Sequence, residues 1–219
     1  MGAIRGVILD IDGTLVDSND AHTHAWIKAM AENGVKVPFE AVRKLIGMGG
    51  DKLLPTVTGI SEESPRGKAI SKRRKEIFLR EYLPNLFPTP GAEDLLRELK
   101  KRGLKMVVGT SATTEELEPL LRVSRADQYV ESRTSSDDAE RSKPDPDIVQ
   151  AALASLDLPA TKVVMLGDTP YDIESATRAS VPIIAFRCGG WSDRDLHGAL
   201  AIYDNPAHLL HDIDDSAFA

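Results

Sequence analysis

Four short runs in this chain are apolar almost throughout: "GVILDI" at 6–11, "KMVVGT" at 105–110, "KVVMLGD" at 162–168 and "VPIIAF" at 181–186. A strand with one wet face alternates apolar and polar residues, because successive side chains point to opposite faces. These runs do not alternate, so both faces must be covered, as in a parallel sheet flanked by helices. The segments between them supply the helices. "GAEDLLRELKKRG", 91–103, sets Leu95, Leu96 and Leu99 on one stripe, with acids early, bases late and a glycine to stop it. "DPDIVQAALASLDL", 145–158, repeats the pattern through Ile148, Ala151, Ala152 and Leu156. The expected fold class is α/β, a doubly wound parallel sheet.

Residues 16–86 break this alternation. Helical periodicity runs through "NDAHTHAWIKAMAENG", "PFEAVRKLIG" and "SPRGKAISKRRKEIFLREYL" without a good strand, and the stretch closes at the Pro-rich "LPNLFPTPG". The expected organisation is an α/β core of residues 1–15 and 87–219, with an all-helical insert over 16–86. At 219 residues such a chain buries a core without disulfide or metal staples. "GMGGDKLLP", 47–55, reads as a flexible loop between helices of the insert, and the tail "HDIDDSAFA" as a frayed end.

The formal charge of −7 argues against nucleic acid or an anionic membrane as the main partner, since both reward clustered basic charge. The lone Cys188 excludes an internal disulfide and suits a reducing compartment. There is no signal-peptide pattern and no apolar run near the roughly 18 residues of a membrane span. A soluble cytoplasmic protein is expected, as a monomer or small homo-oligomer.

In open parallel sheets, ligands bind beyond the carboxyl ends of the strands. There this chain places Asp10 and Asp12 after the first run, Thr110 and Ser111 after the second, and Asp168 and Asp172 after the third. Lys143, in "RSKPDPD", lies between the last two. Two carboxylates about 5 Å apart repel by roughly 3 kcal/mol at an effective dielectric of about 20, and four multiply the cost. Lys143 offsets one charge. A hard divalent cation suits an all-oxygen set better, and Mg²⁺ prefers one or two carboxylates completed by waters and phosphate oxygens. Carboxylates, a cation, a lysine and a hydroxyl are the parts of phosphoryl transfer: an in-line nucleophile, positive charge on the equatorial oxygens and a proton donor for the leaving oxygen. "GTSATTEE" adds a helix N-terminus just past Thr110, whose free N–H groups attract anions.

Taken in order, these motifs resemble the haloacid dehalogenase-like superfamily of phosphatases. The resemblance covers nearly the whole chain and is to the branch with a helical cap after the first strand, which includes phosphoglycolate phosphatases and β-phosphoglucomutases. It implies Asp10 of "DIDGTLVDS" as nucleophile and Asp12 as acid/base. It implies Thr110 of "VVGTSA" as the group that holds the phosphoryl oxygens, with Ser111 as helper, and Lys143 of "SKPDPD" as the lysine of the set. Gly167, Asp168 and Asp172 match the last signature, giving a metal set of Asp10, Asp12, Asp168 and Asp172 for Mg²⁺. Asp172 is either a ligand or a partner that orients Lys143 or a metal-bound water. The expected activity is hydrolysis of a small phosphomonoester, a phosphorylated metabolite, through an aspartyl-phosphate.

Substrate choice is expected from the insert. His22 and His24, two residues apart on one helix, cannot share a face, so at most one points at the site. His22 is the candidate, against the alternative of a surface imidazole. Gly49 and Lys52 in the 47–55 loop are candidate substrate contacts, while "SKRRKE", 71–76, is a solvated face from which Arg74 could reach an anion. Trp26 reads as packing and Cys188 as structural. A dehalogenase lacks the second Asp, so Asp12 disfavours that reading. A β-phosphoglucomutase fits Asp12, His22 and Trp26, but carries a loop arginine where this chain has Gly49-Gly50, leaving Lys52 or Arg74 as substitutes. A non-catalytic phosphate-binding regulator is the remaining alternative.

Overall fold

A computed structural model describes residues 3–219. Its centre is a sheet of six strands: β1 (Gly6–Leu9), β2 (Lys105–Gly109), β3 (Ser132–Thr134), β4 (Val163–Gly167), β5 (Ile183–Phe186) and β6 (Ala201–Tyr203). All neighbours pair in parallel in the order β3-β2-β1-β4-β5-β6. The expected fold class holds: this is a doubly wound, Rossmann-like α/β core.

The lack of alternation in the strand sequences has the expected cause. Val7, Leu9, Met106, Val108, Val164 and Leu166 face one way and pack on Leu95, Leu96 and Leu99 of α5 (Ala92–Lys101) and on Leu117, Leu120 and Leu121 of α6 (Thr114–Ser124). Ile8, Val107, Val163, Met165 and Ile183 face the other way, against Val149, Ala152 and Leu156 of α7 (Asp147–Leu156) and Ile173 and Ala176 of α8 (Pro170–Arg178). Burying one such leucine contributes about 1.5–3 kcal/mol, so each stripe offsets a good part of the ordering cost of its helix.

Between β1 and α5 the chain forms α1 (Asn19–Glu32), α2 (Phe39–Arg43), α3 (Gly50–Thr58) and α4 (Pro65–Ile77), the last running into a π-helical turn, Phe78–Tyr82. No strand lies in this stretch. The chain leaves the sheet and returns to it at one place. Asp17 N–H donates to the Phe87 carbonyl at 3.0 Å, Thr89 N–H to the Leu15 carbonyl at 3.0 Å, and Thr89 Oγ1 to the Thr14 carbonyl at 2.7 Å. No helix among the described residues is long and apolar enough to cross a membrane.

Two expectations are corrected. The 47–55 segment is not a loop throughout: α3 begins at Gly50 and accommodates Pro55. The tail is not frayed, because α9 (Pro206–His211) and a final 3₁₀ turn carry Phe218 into the core, where its carbonyl accepts from Arg102 Nη1 at 3.1 Å.

Gly13, just past β1, has φ +78°, and a Cβ there would collide with the Asp168 carboxylate and the Asn19 amide. Both the backbone and the space demand glycine. Gly13→Ala is expected to destabilise the protein by about 2–4 kcal/mol, from the left-handed conformation plus the collision. Urea unfolding checks this, and a loss under about 0.5 kcal/mol would contradict it.

Candidate active site

The strand order reverses between β1 and β4, and the carboxyl ends of these two strands carry Asp10 and Asp168. That crevice is where an open parallel sheet offers its backbone ends to a ligand. Asp10 is fixed by its own N–H, which donates to the Leu166 carbonyl at 2.9 Å. Its Oδ1 accepts from Lys143 Nζ at 2.5 Å, while Oδ2 receives only a long contact from Thr14 Oγ1, at 3.3 Å.

Lys143 is only 1 % exposed, so its charge must be matched by protein groups. Nζ lies 2.8 Å from Asp172 Oδ1 as well as beside Asp10. Burial opposes the charged lysine, but Asp10 and Asp172 outweigh it and raise its pKa. Asp172 does two things at once. In "TPYD" it completes a capping box at the start of α8: its Oδ2 accepts from Thr169 N at 3.0 Å, and Thr169 Oγ1 accepts from Asp172 N at 3.2 Å. Its other oxygen faces Lys143.

Asp168 is fully buried, with Oδ1 accepting from Thr14 Oγ1 and Oδ2 from Asn19 Nδ2, each at 2.9 Å. One oxygen from each of Asp10, Asp168 and Asp172 falls within 4.8 Å of the others. Burial, with Lys143 only partly compensating and the neighbouring Asp172 adding repulsion, pushes the Asp10 carboxyl up to about 7. Burial and the carboxylates of Asp172 and Asp10 push Asp168 well above its ordinary range. Three acids against one lysine is an unbalanced charge, and the buried Asn19 Oδ1 has no hydrogen-bond partner. An all-oxygen donor set with excess negative charge fits a hard divalent cation.

Asp12 stands apart from this cluster. Its Oδ1 accepts from Ser18 Oγ at 2.6 Å and meets His22 Nε2 at 2.8 Å. Burial alone would raise the carboxyl; His22 and Ser18 overcome it and hold it below the usual range. The His22 ring is stacked on Phe78 of the π-helical turn, centroids 3.8 Å apart.

A cleft of about 460 Å³, counted with its mouth to solvent, is lined by Asp10, Asp12, His22, Gly49, Arg74 and Thr110, among others. Ser111 and Ala112 also face it, just ahead of the start of α6. Thr110 Oγ1 accepts from Ala112 N at 3.1 Å. So Asp10, Asp12, His22, Gly49, Thr110 and Ser111 meet at one cleft, with Lys143, Asp168 and Asp172 packed behind Asp10.

Lys52 is not there. Its Nζ is committed to the Ser142 carbonyl, at 2.7 Å, and to the Asp145 carboxylate. His22 lines the cleft but spends Nε2 on Asp12. Three residues that sequence reasoning passed over matter to the geometry. Thr14 bridges Asp10 and Asp168, Asn19 holds Asp168, and Glu116, fully buried on α6, pairs with Arg74, whose guanidinium lies 5.0 Å from the Trp26 ring. Thr14 and Asn19 follow "DIDG" closely enough to be noticed as polar residues beside a strand end, whereas nothing in "TEELEPLL" marks Glu116. The Cys188 thiol donates to the Gly13 carbonyl at 3.2 Å, and burial with the nearby Asp168 charge pushes it up to about 12, so it is an inert packing group.

The profile of the haloacid dehalogenase-like hydrolase family matches residues 7–186. A protein of Rhodospirillum rubrum named phosphoglycolate phosphatase is 31% identical over 215 residues, spanning 94% of this chain and 89% of its own. A crystal structure of a hydrolase from Pseudomonas syringae superposes with TM-score 0.90 at 27% identity, covering 96% of this chain and 98% of that one. CbbY from Rhodobacter sphaeroides, solved in complex with phosphate, superposes with TM-score 0.79 at 25% identity, over 94% and 96% of the two chains. With the acid cluster at the switch point of the sheet and a family match spanning most of the chain, the protein is a member of the haloacid dehalogenase-like hydrolases.

Proposed function

We propose that this protein is a Mg²⁺-dependent phosphatase that cleaves a small phosphomonoester through an aspartyl-phosphate at Asp10, with residues 16–86 acting as a cap over the site. The observation that carries this reading is the arrangement around Asp10. Its carboxylate stands at a strand end, one oxygen held by Lys143 at 2.5 Å and the other nearly free, at the floor of a cleft that also presents Thr110 and Asp12. A nucleophile needs this combination of a fixed position and an uncommitted lone pair.

In this reading Asp10 Oδ2 attacks phosphorus, and Lys143 and Thr110 with the N–H groups of the following turn hold the equatorial oxygens. Asp10, Asp168 and Asp172 would hold Mg²⁺, which when bound supplies positive charge to the phosphoryl oxygens. Asp12, held ionised by His22 and Ser18, is suited to the second half of the reaction, in which it takes a proton from the water that splits the acyl phosphate. In the first half it must give a proton to the leaving oxygen. The group in reach to supply that proton is His22 Nε2, 2.8 Å away. The cap shields the exchange from bulk water and moves about the paired connections at 14–17 and 87–89.

Relatives named phosphoglycolate phosphatase make phosphoglycolate the first ester to try. Mutase chemistry is less well supported. Lys52 is tied to Asp145 and Arg74 to Glu116, so neither substitutes freely for an arginine in the Gly49-Gly50 turn. Cytoplasmic residence is proposed on the single cysteine alone.

Asp10→Asn is expected to lower kcat at least about 1000-fold and to abolish the phosphoenzyme in acid-quenched mass spectra. A variant keeping more than a few per cent of the activity would remove Asp10 as nucleophile. Chelation with EDTA should inactivate the enzyme and Mg²⁺ should restore it, so full turnover in EDTA would refute the metal requirement. The third expectation concerns pH. With Asp10 raised to about 7 from an unfolded value of 3.8, the metal-free folded state keeps a proton there that the unfolded chain has lost. Its contribution to stability therefore falls as pH rises through that window. Melting temperatures in chelator should decline more steeply from pH 5 to 7 for the wild type than for Asp10→Asn; equal slopes would count against the shift.

A further inference from the structure

We infer that the start of α3 positions Lys143 for catalysis, so that Asp51, Lys52 and Ser142 act on the reaction without touching the substrate. The inference rests on the reading of Lys143 as the group that holds the phosphoryl oxygens.

Lys143 belongs to neither a strand nor a helix. It sits in the irregular stretch 140–146 that leads into α7. Its own hydrogen bonding across Lys143 is a single turn bond, Asp145 N–H to the Ser142 carbonyl at 3.1 Å, yet a group working on a transferring phosphoryl must be placed to a fraction of an ångström. Something else must hold the backbone. On the core side, Asp145 is anchored to α8: its carbonyl accepts from Ser175 Oγ at 2.8 Å and its Oδ1 from Arg178 Nη1 at 3.0 Å. On the other side of Lys143, Ser142 is held by α3. Gly49 N–H donates to Ser142 Oγ at 3.2 Å, that hydroxyl donates to the Asp51 carboxylate, and Lys52 Nζ donates to the Ser142 carbonyl at 2.7 Å.

Lys52 also pairs with the Asp145 carboxylate, so one side chain spans both ends of the Ser142–Asp145 turn. The two backbones approach so closely that a Cβ on Gly49 would land on the Ser142 side chain. Ser142 is buried at the centre of these bonds, while Lys52 and Asp145 are half-buried and Asp51 is exposed, so the clasp runs from the interior to the edge of the contact.

The consequence is a coupling. α3 lies in the proposed cap and the Ser142–Asp145 turn in the core, so the clasp exists only while the two are together. Closing the cap then does more than exclude water: it completes the support of the lysine that faces Asp10 and Asp172. Lys52, a candidate substrate contact by sequence, is thereby reassigned as a positioning residue.

The test uses the full chain with Mg²⁺, phosphoglycolate and p-nitrophenyl phosphate. Lys52→Met and Ser142→Ala should each lower kcat about ten- to hundredfold while KM changes less than about threefold. Lys52→Arg, which can still span the turn, should recover to within about threefold of the wild type. In parallel, amide hydrogen exchange over 141–147 should quicken in Lys52→Met and Ser142→Ala. It should stay at the wild-type rate in Arg43→Met, which instead breaks contacts of α2 with Asp20 and the Gly189 carbonyl. Unchanged kcat in both clasp variants overturns the inference. So does exchange at 141–147 that quickens equally in Arg43→Met, because the effect would then be a general loosening. If the wild type releases phosphate from neither ester, the phosphatase reading is what has failed. Exchange at 141–147 then decides by itself whether α3 holds the Lys143 turn, and an unchanged rate overturns the clasp.

Discussion

A lysine buried between two carboxylates sets the terms for everything around it. Lys143 cannot be where it is without Asp10 and Asp172, because an unpaired ammonium in that position would cost several kcal/mol. Asp10 and Asp172 are in turn where they are because one ends β1 and the other caps α8. The ion triad therefore ties the central strand, the α7 approach and the α8 N-terminus into one unit. It also leaves a negative excess once Asp168 is counted, and that excess suits the same place to a cation. Charge, not apolar area, selects the geometry here.

Beyond Asn19 on Asp168 and His22 on Asp12, the helical segment meets the core at residues that flank the site. Ser111 Oγ donates to the Gly47 carbonyl at 3.4 Å, beside Thr110. Tyr171 Oη donates to the Lys44 carbonyl at 2.5 Å, beside Asp172. Arg43 reaches the Gly189 carbonyl, whose residue packs on Asp168, and Ser142 neighbours Lys143. Each core loop bearing a polar group of the site is thus gripped one or a few residues away from that group. Hydrogen bonds placed this way hold the loops without using Thr110, Lys143 or Asp172 as partners.

Much of this could be read from the residues. The interior strands were legible because both faces are buried, which leaves runs with no alternation. The edge strands β3 and β6 were not, since "SRT" and "AIY" are three residues each and half exposed, and their pairing is set by neighbours distant in sequence. Asp10, Asp12, Thr110, Lys143, Asp168 and Asp172 were legible because each sits at a strand end or just before a helix, where local pattern fixes position. Lys52 and Arg74 were harder. A long flexible side chain takes the partner that the tertiary fold offers, here Asp145 and the buried Glu116, and no local pattern announces either. Asp12 shows a finer limit. Its place after β1 was readable, but not that Ser18 and His22 would turn its carboxylate away from the other three acids.

The paired connections at 14–17 and 87–89 carry a consequence of a different sort. Because the chain departs and returns through two adjacent, hydrogen-bonded segments, the whole helical segment is attached to the sheet like a drawer on one pair of rails. Its contents can be lengthened, shortened or replaced without altering the order or register of a single strand. The sheet and the helical segment are thereby free to change on separate clocks. An acid cluster held by buried charge can stay fixed, while whatever is slotted in above it is rewritten.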